Sequence, residues 1–568
     1  MTALASVHTL YQERFACIAE ETLQATVGIT GEDEDCVRDR VAEASKGVAA
    51  VGQLRAIYQS TLFWELAAMC PINDLSIRRF GRPRDYPDWL LLLLECIAGI
   101  AGISTRHSAI VALSDPDAWS AFVYDVDRFV PEGMTKLADI PRMRPRARRA
   151  THPLAVPQTL PTEQLASLVP TATRPRLLPV PDVDPPTAHH SAYFVSQWRG
   201  VDKTGRALPS SHPWHGLRRR IIGRFRELAV SQAQAMGLLE RGAEFYFKKP
   251  DPRQFIGMDG VVWPLRKVTA KTPSAGEHGV GGNTYTVYGS KFTLFSMRIV
   301  GQYLSRVIFD FAHTGKDKNH SVANDEAHAV RLIAPVLKAL ADGGMHGIVG
   351  DGVLRGETVT ELHRKHGLIV VNHVHAGRNP DGKSGKRHPG TREEKSHLRS
   401  TLTHPGLDGR PCRHPLFLYG GHLVELLVDG EGNDRPNKVE VIKYQRYPNA
   451  DGTWREYHLV KVTCAAAPGG FLKKRVALFH DSEDDPKFNY GEFARVLAPH
   501  TEPFKRIYST RNDTESRHAD LKARIKFFPR DVPGQEMRLL GAAIANNALA
   551  LHVHLQAHRK PNAIDSTA

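Results

Sequence analysis

The spacing of apolar residues changes character along this chain, and each change marks a candidate boundary. Residues 1–133 are rich in Ala, Leu, Glu, Gln and Arg at helical spacing with few β-branched runs, which predicts an α-helical N-terminal domain. From 134 to 188 the apolar recurrence fades into an arginine cluster (Arg142, Arg144, Arg146, Arg148, Arg149) and then prolines up to Pro186. Such a stretch lacks the side chains for a core and reads as an extended linker. Residues 189–249 form a pre-core segment whose main feature is a basic amphipathic helix over Arg218–Glu240. From 250 the pattern becomes strand-like, with runs at Ile256–Leu265, Thr284–Met297 and Arg306–Ala312. A helix over Ala327–Ala341, capped by Asn324 or Asp325, then leads to the strand His346–Gly350, the helix Glu357–His366 and the strand Leu368–Val374. Strands followed by alternating helix and strand predict an α/β layer over 250–376, with helices against one mixed sheet.

Residues 377–500 interrupt that layer. A polar, glycine- and lysine-rich stretch (Gly377 to Lys395) precedes alternating runs at Leu416–Tyr419, Leu423–Val428, Val439–Tyr447, Glu456–Cys464 and Arg475–Phe479. Turn residues such as Asn449-Ala450-Asp451-Gly452 separate them, so the segment reads as an antiparallel β insertion. Helix returns over 501–558, including an alanine-rich run from Ala542 to Leu551, and 559–568 is a tail. The glycine-rich Gly276–Gly282 lies between two β runs, opens no helix, and is expected to be a flexible hairpin loop rather than a phosphate cradle.

Composition adds three constraints. With 41% hydrophobic and 24% charged residues the chain is an ordinary globular protein. Its longest apolar run, Leu90–Ile103, is broken by Glu95 and falls short of the ~20 residues of a bilayer crossing. No basic, then apolar leader opens the sequence, so a cytoplasmic protein without membrane partners is expected. Six cysteines (Cys17, Cys36, Cys70, Cys96, Cys412, Cys464) form no CxxC pair, which argues for reduced thiols and against zinc ribbons. Charge is unevenly placed. Residues 1–133 carry 11 Lys+Arg against 19 Asp+Glu, and the chain as a whole is +14, so the rest of it is +22. A basic body of that size attracts polyanions, of which nucleic acid is the commonest large one.

Three acids stand where chemistry would use them. Asp259 interrupts the apolar strand Ile-Gly-Met-Asp-Gly-Val-Val-Trp, and Asp351 follows the strand Gly-Ile-Val-Gly. Ligands of open α/β sheets gather beside strand ends, and a buried carboxylate needs a partner such as a divalent cation. Taken alone, each also fits an Asp-Gly turn. The third acid, Glu515, sits in Tyr508-Ser-Thr-Arg511-Asn-Asp-Thr-Glu515-Ser-Arg-His-Ala-Asp-Leu-Lys522, where Thr510 and Asp513 resemble a capping box opening a helix. At ~100° per residue Arg511, Glu515 and Lys522 share an arc of about 40°, with Tyr508 close by. That face presents a phenol, a guanidinium, a carboxylate and an ammonium; i,i+4 pairing of Arg511 with Glu515 on a solvated helix is the plain alternative.

The spacing Tyr508, Arg511, Glu515, Lys522 resembles the Y-R-E-K signature of bacterial insertion-sequence transposases of the DDE type. Two strand-borne aspartates precede it in the order that family has, with separations of 92 and 164 residues, the longer gap accommodating the β insertion of the subgroup with this signature. The resemblance spans roughly residues 250–555. It implies a ribonuclease H-like core in which Asp259, Asp351 and Glu515 hold two Mg²⁺ (or Mn²⁺) ions for DNA strand cleavage and strand transfer. It also implies that Arg511, Lys522 and Tyr508 contact DNA phosphates, and that double-stranded DNA, both terminal inverted repeats and target, is the partner of a synaptic homodimer at the nucleoid. In similar transposases an aromatic residue of the insertion receives a flipped base, and Trp454, beside the Asn449–Gly452 turn, is the aromatic best placed for it. A non-catalytic, domesticated DNA-binding protein and a structure-specific nuclease with the same core remain the alternatives. The His373/His375 and His552/His554 pairs lack cysteines at ligand spacing, Asp310, Asp325 and Glu326 are rival acids, and no Gly-x-Ser-x-Gly elbow is present.

Overall fold

The computed structural model describes residues 50–76, 85–100, 106–114, 116–140, 183–202, 204–264, 274–280, 283–299, 302–314, 333–340, 343–350, 354, 356–374, 396–407, 409–428, 430–431, 434–479, 490–499, 501–525 and 528–558. It is a mixed α/β protein. The described residues before 140 are helical: α1 (Ala50–Gln59), α2 (Thr61–Ala68), α3 (Asp88–Ile97), α4 (Arg106–Leu113) and α5 (Pro116–Val126). Every residue of α3, including Asp88 and Glu95, is buried. A helix apolar on all sides needs neighbours all round; α1, α2, α4 and the long C-terminal helix supply them. Next among the described residues come α6 (Ala188–Trp198) and the basic helix α7 (Leu217–Ala235); most of the expected linker lies outside the described residues. The arginines of α7 tie elements together: Arg218 reaches Glu536, Arg224 reaches Glu65, and Arg226 reaches Asp310.

The central sheet contains β1 (Phe255–Pro264), β3 (Asn283–Met297), β4 (Val307–His313), β5 (Gly347–Val349) and β6 (Ile369–Val371), with β2 (Ser274–Val280) pairing the first part of β3. Across the sheet the order is β4-β3-β1-β5-β6. β1, β3 and β4 form an antiparallel meander, while β5 and β6 run parallel to β1. Helix α8 (Gly356–His366) connects β5 to β6. Most of the expected glycine-rich hairpin loop is strand: Ser274–Val280 pairs with β3, so the connection shrinks to residues 281–282.

The insertion consists of two further antiparallel sheets. One has the order β10-β9-β8-β7, built from β7 (Ser396–Pro405), β8 (Pro411–Tyr419), β9 (His422–Val428) and β10 (Asp434–Lys438); the other is β11-β12-β13, from β11 (Glu440–Pro448), β12 (Trp454–Thr463) and β13 (Phe471–Ala477). A buried network fixes the second sheet to the core. His363 of α8 contacts Glu456 at 2.6 Å through Nδ1, its Nε2 accepts from the Val370 N–H at 3.3 Å, and the Tyr444 hydroxyl donates to Glu456.

Three helices close the chain: α9 (Glu502–Tyr508), α10 (Arg511–Arg524) and α11 (Val532–Ala557). α11 lies against α1, α3 and β4, so the helical N-terminal region and the sheet share one continuous apolar core. Where α3 and α11 cross, glycines permit backbone contact: a Cβ on Gly99 would stand 2.6 Å from Ala542 Cα, and one on Gly541 would stand 2.5 Å from the Glu95 carbonyl. α11 also caps the sheet edge. Asn547 accepts from the Ile308 N–H and donates to its C=O, both at 2.8 Å, which occupies backbone groups that an edge strand would otherwise leave unpaired.

Candidate functional site

Asp259 sits in the middle of the sheet, cross-strand from Leu294, which in turn faces Phe311. Side chains alternate across a strand, so Asp259 projects to one face of the sheet, while its neighbour Met258 shares the other with Phe295 and Asp310. That pleat separates the two acids. Asp310 is fully buried and pairs with Arg226 at 2.7 Å, and its Oδ1 accepts from the Phe311 N–H at 2.9 Å. Burial pushes its pKa up against the pull of Arg226. It is a core ion pair holding α7 to the sheet.

Asp259 instead faces α10. Its Oδ1 accepts from the Gly260 N–H at 2.8 Å, and His518 Nδ1 stands 3.4 Å from its Oδ2. Its side chain keeps 14% of its surface exposed. One ammonium group, that of Lys522, completes the surroundings. Lys291, cross-strand from Val262, passes over Gly260 on the Met258 side of the sheet, the side away from the Asp259 carboxylate. Lys522 lies one turn beyond His518; partial desolvation lowers its pKa below the ordinary 10.5, and Asp259 opposes that shift.

Local packing aims α10 at this spot. Arg506 of α9 donates to the Pro250 carbonyl at 2.9 Å, just ahead of β1, and Leu521 and Ile525 are buried. Beyond α10, Phe528 stacks on Trp263 of β1 at 4.9 Å. Thr510 does not cap α10 as expected: it is already helical (φ −69°, ψ −12°), and its hydroxyl donates back to the Ile507 carbonyl at 2.7 Å. The chain runs from α9 into α10 through a tight turn, so no extended cap residue exists for a capping box.

The residues singled out from sequence distribute as follows. Arg511, Glu515 and Lys522 all lie in α10, with His518 between the last two on the same side of the helix. The helical position of Glu515 is described and its side chain is not. Asp351 lies outside the described residues, as do Asp325 and Glu326. β5 does run parallel to β1, with Val349 opposite Gly257. Tyr508 ends α9, stacked on Phe504 at 4.9 Å and edge-on to His373 at 4.6 Å, with the Arg511 guanidinium 5.9 Å from its ring. Trp454 opens β12 beside the expected turn, but its indole is half-buried: the Arg446 guanidinium covers it at 4.5 Å, and Gly367, at φ +61°, packs against it.

No family model and no curated protein matches the chain. Among the described residues no helix is long and apolar enough to cross a membrane.

Two features escaped the sequence reading. His518, three residues after Glu515 and four before Lys522, was recoverable from the same helical arc that groups the others. The open face of β11-β12-β13 was not. Cross-strand register gathers Lys443, Arg455, Lys461, Lys473 and Arg475 there with Tyr447, Tyr457 and Phe471. Lys461 lies 4.7 Å from the Phe471 ring and Arg475 4.8 Å from that of Tyr457. Cations resting on aromatic faces make a surface suited to phosphates and bases.

Proposed function

We propose that this chain is a DNA transposase of the DDE type with a ribonuclease H-like core, preceded by an N-terminal helical domain to which α1–α5 belong. One observation carries the reading: the helix bearing Arg511, Glu515 and Lys522, entered directly after Tyr508 of α9, lies on the sheet face to which Asp259 projects. Three others support it. A three-strand meander continued by two strands parallel to the first is the strand order of such a core. β5, which leads toward Asp351, lies in parallel register beside the strand of Asp259. Finally, a β insertion occupies the interval between Asp351 and Glu515.

The residues fit the hard cations this chemistry uses, because Asp259 is a partly open carboxylate with one oxygen held by backbone and the other turned toward a basic helix. Asp259, Asp351 and Glu515 would hold two Mg²⁺ or Mn²⁺ ions, whose Lewis acidity would activate the attacking water or 3′-hydroxyl and stabilise the leaving oxygen. The chain's own cations do the rest. Arg511 and Lys522 hold the phosphates flanking the scissile bond, Tyr508 hydrogen-bonds a phosphate oxygen, and the basic face of the insertion carries the flanking duplex. His518 keeps Asp259 turned toward α10. The working assembly is a homodimer that pairs two element ends.

The test is metal-dependent nicking of a duplex containing the DNA that borders the gene, using the full chain. Wild type should nick at a defined end, and Asp259→Asn and Glu515→Gln should bind the duplex without cutting it. Cleavage by Asp259→Asn at the wild-type rate overturns the reading.

A further inference from the structure

The β insertion holds a second cluster with metal-ligand chemistry, remote in type from the carboxylates of the sheet. His404 at the end of β7, His414 on β8 and Cys464 just after β12 place one ligand atom each within 4.8 Å of one another. His404 Nε2 is 3.3 Å from Cys464 Sγ, and the two imidazoles lie nearly parallel, with centroids 5.7 Å apart and planes 4° apart.

Two details distinguish this group from a casual surface histidine pair. His414 is 91% buried; its Nδ1 is engaged by Glu425 at 2.7 Å, and its Nε2 is buried without a hydrogen-bond partner. A carboxylate on one imidazole nitrogen fixes the ring and its tautomer and leaves the other nitrogen as a lone-pair donor, the arrangement that orients histidine ligands of metals. A buried imidazole nitrogen with no partner otherwise costs free energy, and a cation in the cluster removes that cost. In addition, the ladder pairs Cys412 with His404 and Leu402 with His414, which puts a second sulfur on the same face of the β7-β8 pair.

We propose that His404, His414 and Cys464 form a structural site for a divalent cation that favours nitrogen and sulfur, zinc above all. Two imidazoles and a thiolate suit Zn²⁺ and do not suit Mg²⁺, which takes oxygen ligands. In a tetrahedral zinc site ligand atoms stand roughly 3.3–3.8 Å apart, as the bond lengths of about 2.0–2.3 Å require. The existing 3.3 Å contact already has that spacing, and the rest of the cluster needs to close by about an ångström. The site spans the two insertion sheets, since His404 and His414 belong to one and Cys464 to the other. The Arg399 side chain also ties the two sheets, donating to the Ala477 carbonyl at 2.7 Å. The metal would therefore pin the four-stranded sheet to the three-stranded one and fix the angle at which the basic face is presented.

The test uses the full chain, purified without added metal and then with chelator. Metal analysis should give about one zinc per chain. The cobalt-substituted protein should show a thiolate-to-cobalt charge-transfer band and the intense visible bands of a tetrahedral ion. Cys464→Ser should lose the charge-transfer band, and His414→Ala should lower bound metal at least tenfold. Chelator should lower the melting temperature of wild type to that of Cys464→Ser, while leaving that variant unmoved; this comparison separates loss of metal from misfolding. Full-length protein that binds no stoichiometric zinc or cobalt overturns the proposal, and so does a Cys464→Ser variant that keeps the charge-transfer band.

Discussion

The two faces of the central sheet treat their aspartates in opposite ways. On the α7 face Asp310 is sealed from water and matched by one partly buried arginine, a pair whose geometry leaves nothing for a ligand to do. On the α10 face Asp259 is only partly covered, held on one oxygen by its own strand, and met by His518 and by the field of the Lys522 ammonium. One pleat separates an acid sealed with its partner from an acid left partly open beside a basic helix. Arg511 and Lys522 share the side of α10 that meets Asp259, and a DNA phosphate is the anion that the basic body of the chain would bring to them.

The sharpest way to break that contrast is to remove each acid in turn. Asp259→Asn should reduce DNA nicking to background with little change in the denaturant midpoint, because its cationic neighbours are relieved of nothing they need to fold. Asp310→Ala should do the reverse, costing about 3 kcal/mol of stability because Arg226 is left charged, partly buried and without its partner. Equal loss of stability in both variants, measured by urea unfolding, would show that Asp259 is also a core group.

The second largest effect expected is on pH dependence, and it belongs to the junction of core and insertion. His458 is buried, donates through Nε2 to the Val496 carbonyl at 3.0 Å, and burial depresses its pKa to about 4 from the ordinary 6.5. The folded form therefore keeps a neutral ring while the unfolded chain takes up a proton. The contribution is complete above pH 6.5 and is lost as pH falls toward 4, by about 3 kcal/mol at 1.36 kcal/mol per unit. His458→Phe should flatten the stability profile in that window. A variant as steeply acid-sensitive as wild type would place the titrating group elsewhere.

What could be read from sequence follows the same physical division. β12 buries one face and announces itself by alternation, β1 is buried on both and announces itself by its apolar run, and the expected runs fall within a residue or two of the observed ones. β7 and β10 pass unnoticed. Ser-His-Leu-Arg-Ser-Thr-Leu-Thr-His-Pro and Asp-Arg-Pro-Asn-Lys have little apolar alternation, and β10 lies at a sheet edge, where a proline such as Pro436 is tolerated. β2 is hidden for the same reason, since Ser-Ala-Gly-Glu-His-Gly-Val lacks a hydrophobic face. Within the site, helical spacing grouped Arg511, Glu515 and Lys522 because one element carries them. The cluster of His404, His414 and Cys464 depends on the docking of two sheets, which no local period encodes.

Trp454 tests whether a half-buried aromatic belongs to packing or to a ligand. With Arg446 on one side and Gly367 on the other, Trp454→Ala should cost about 1–2 kcal/mol, less than the 3–5 of a fully buried ring, and slow first- and second-strand breakage alike. An unchanged melt with selective loss of second-strand breakage would return the indole to a base-receiving role.

The smallest expected effect is the most specific to the open face. Lys522 and Lys505 are both exposed lysines on neighbouring helices, but Lys505 is already paired with Glu502 at 2.7 Å, whereas the ammonium of Lys522 lies in the field of Asp259 and is partly desolvated. A lysine that contacts one phosphate releases one condensed counterion, so Lys522→Ala should reduce the slope of log affinity against log salt by about 0.9. Lys505→Ala should leave the slope where it was. The lowered pKa sharpens the distinction further: the part of binding that depends on Lys522 should fade on the alkaline side before an ordinary lysine's 10.5, because the group gives up its proton earlier. Fluorescence anisotropy of one labelled duplex, titrated at several salt concentrations and then at rising pH, reads both quantities. Equal slope changes for the two variants would mean that phosphate binding is spread over the surface with no preference for the side of the sheet that carries Asp259.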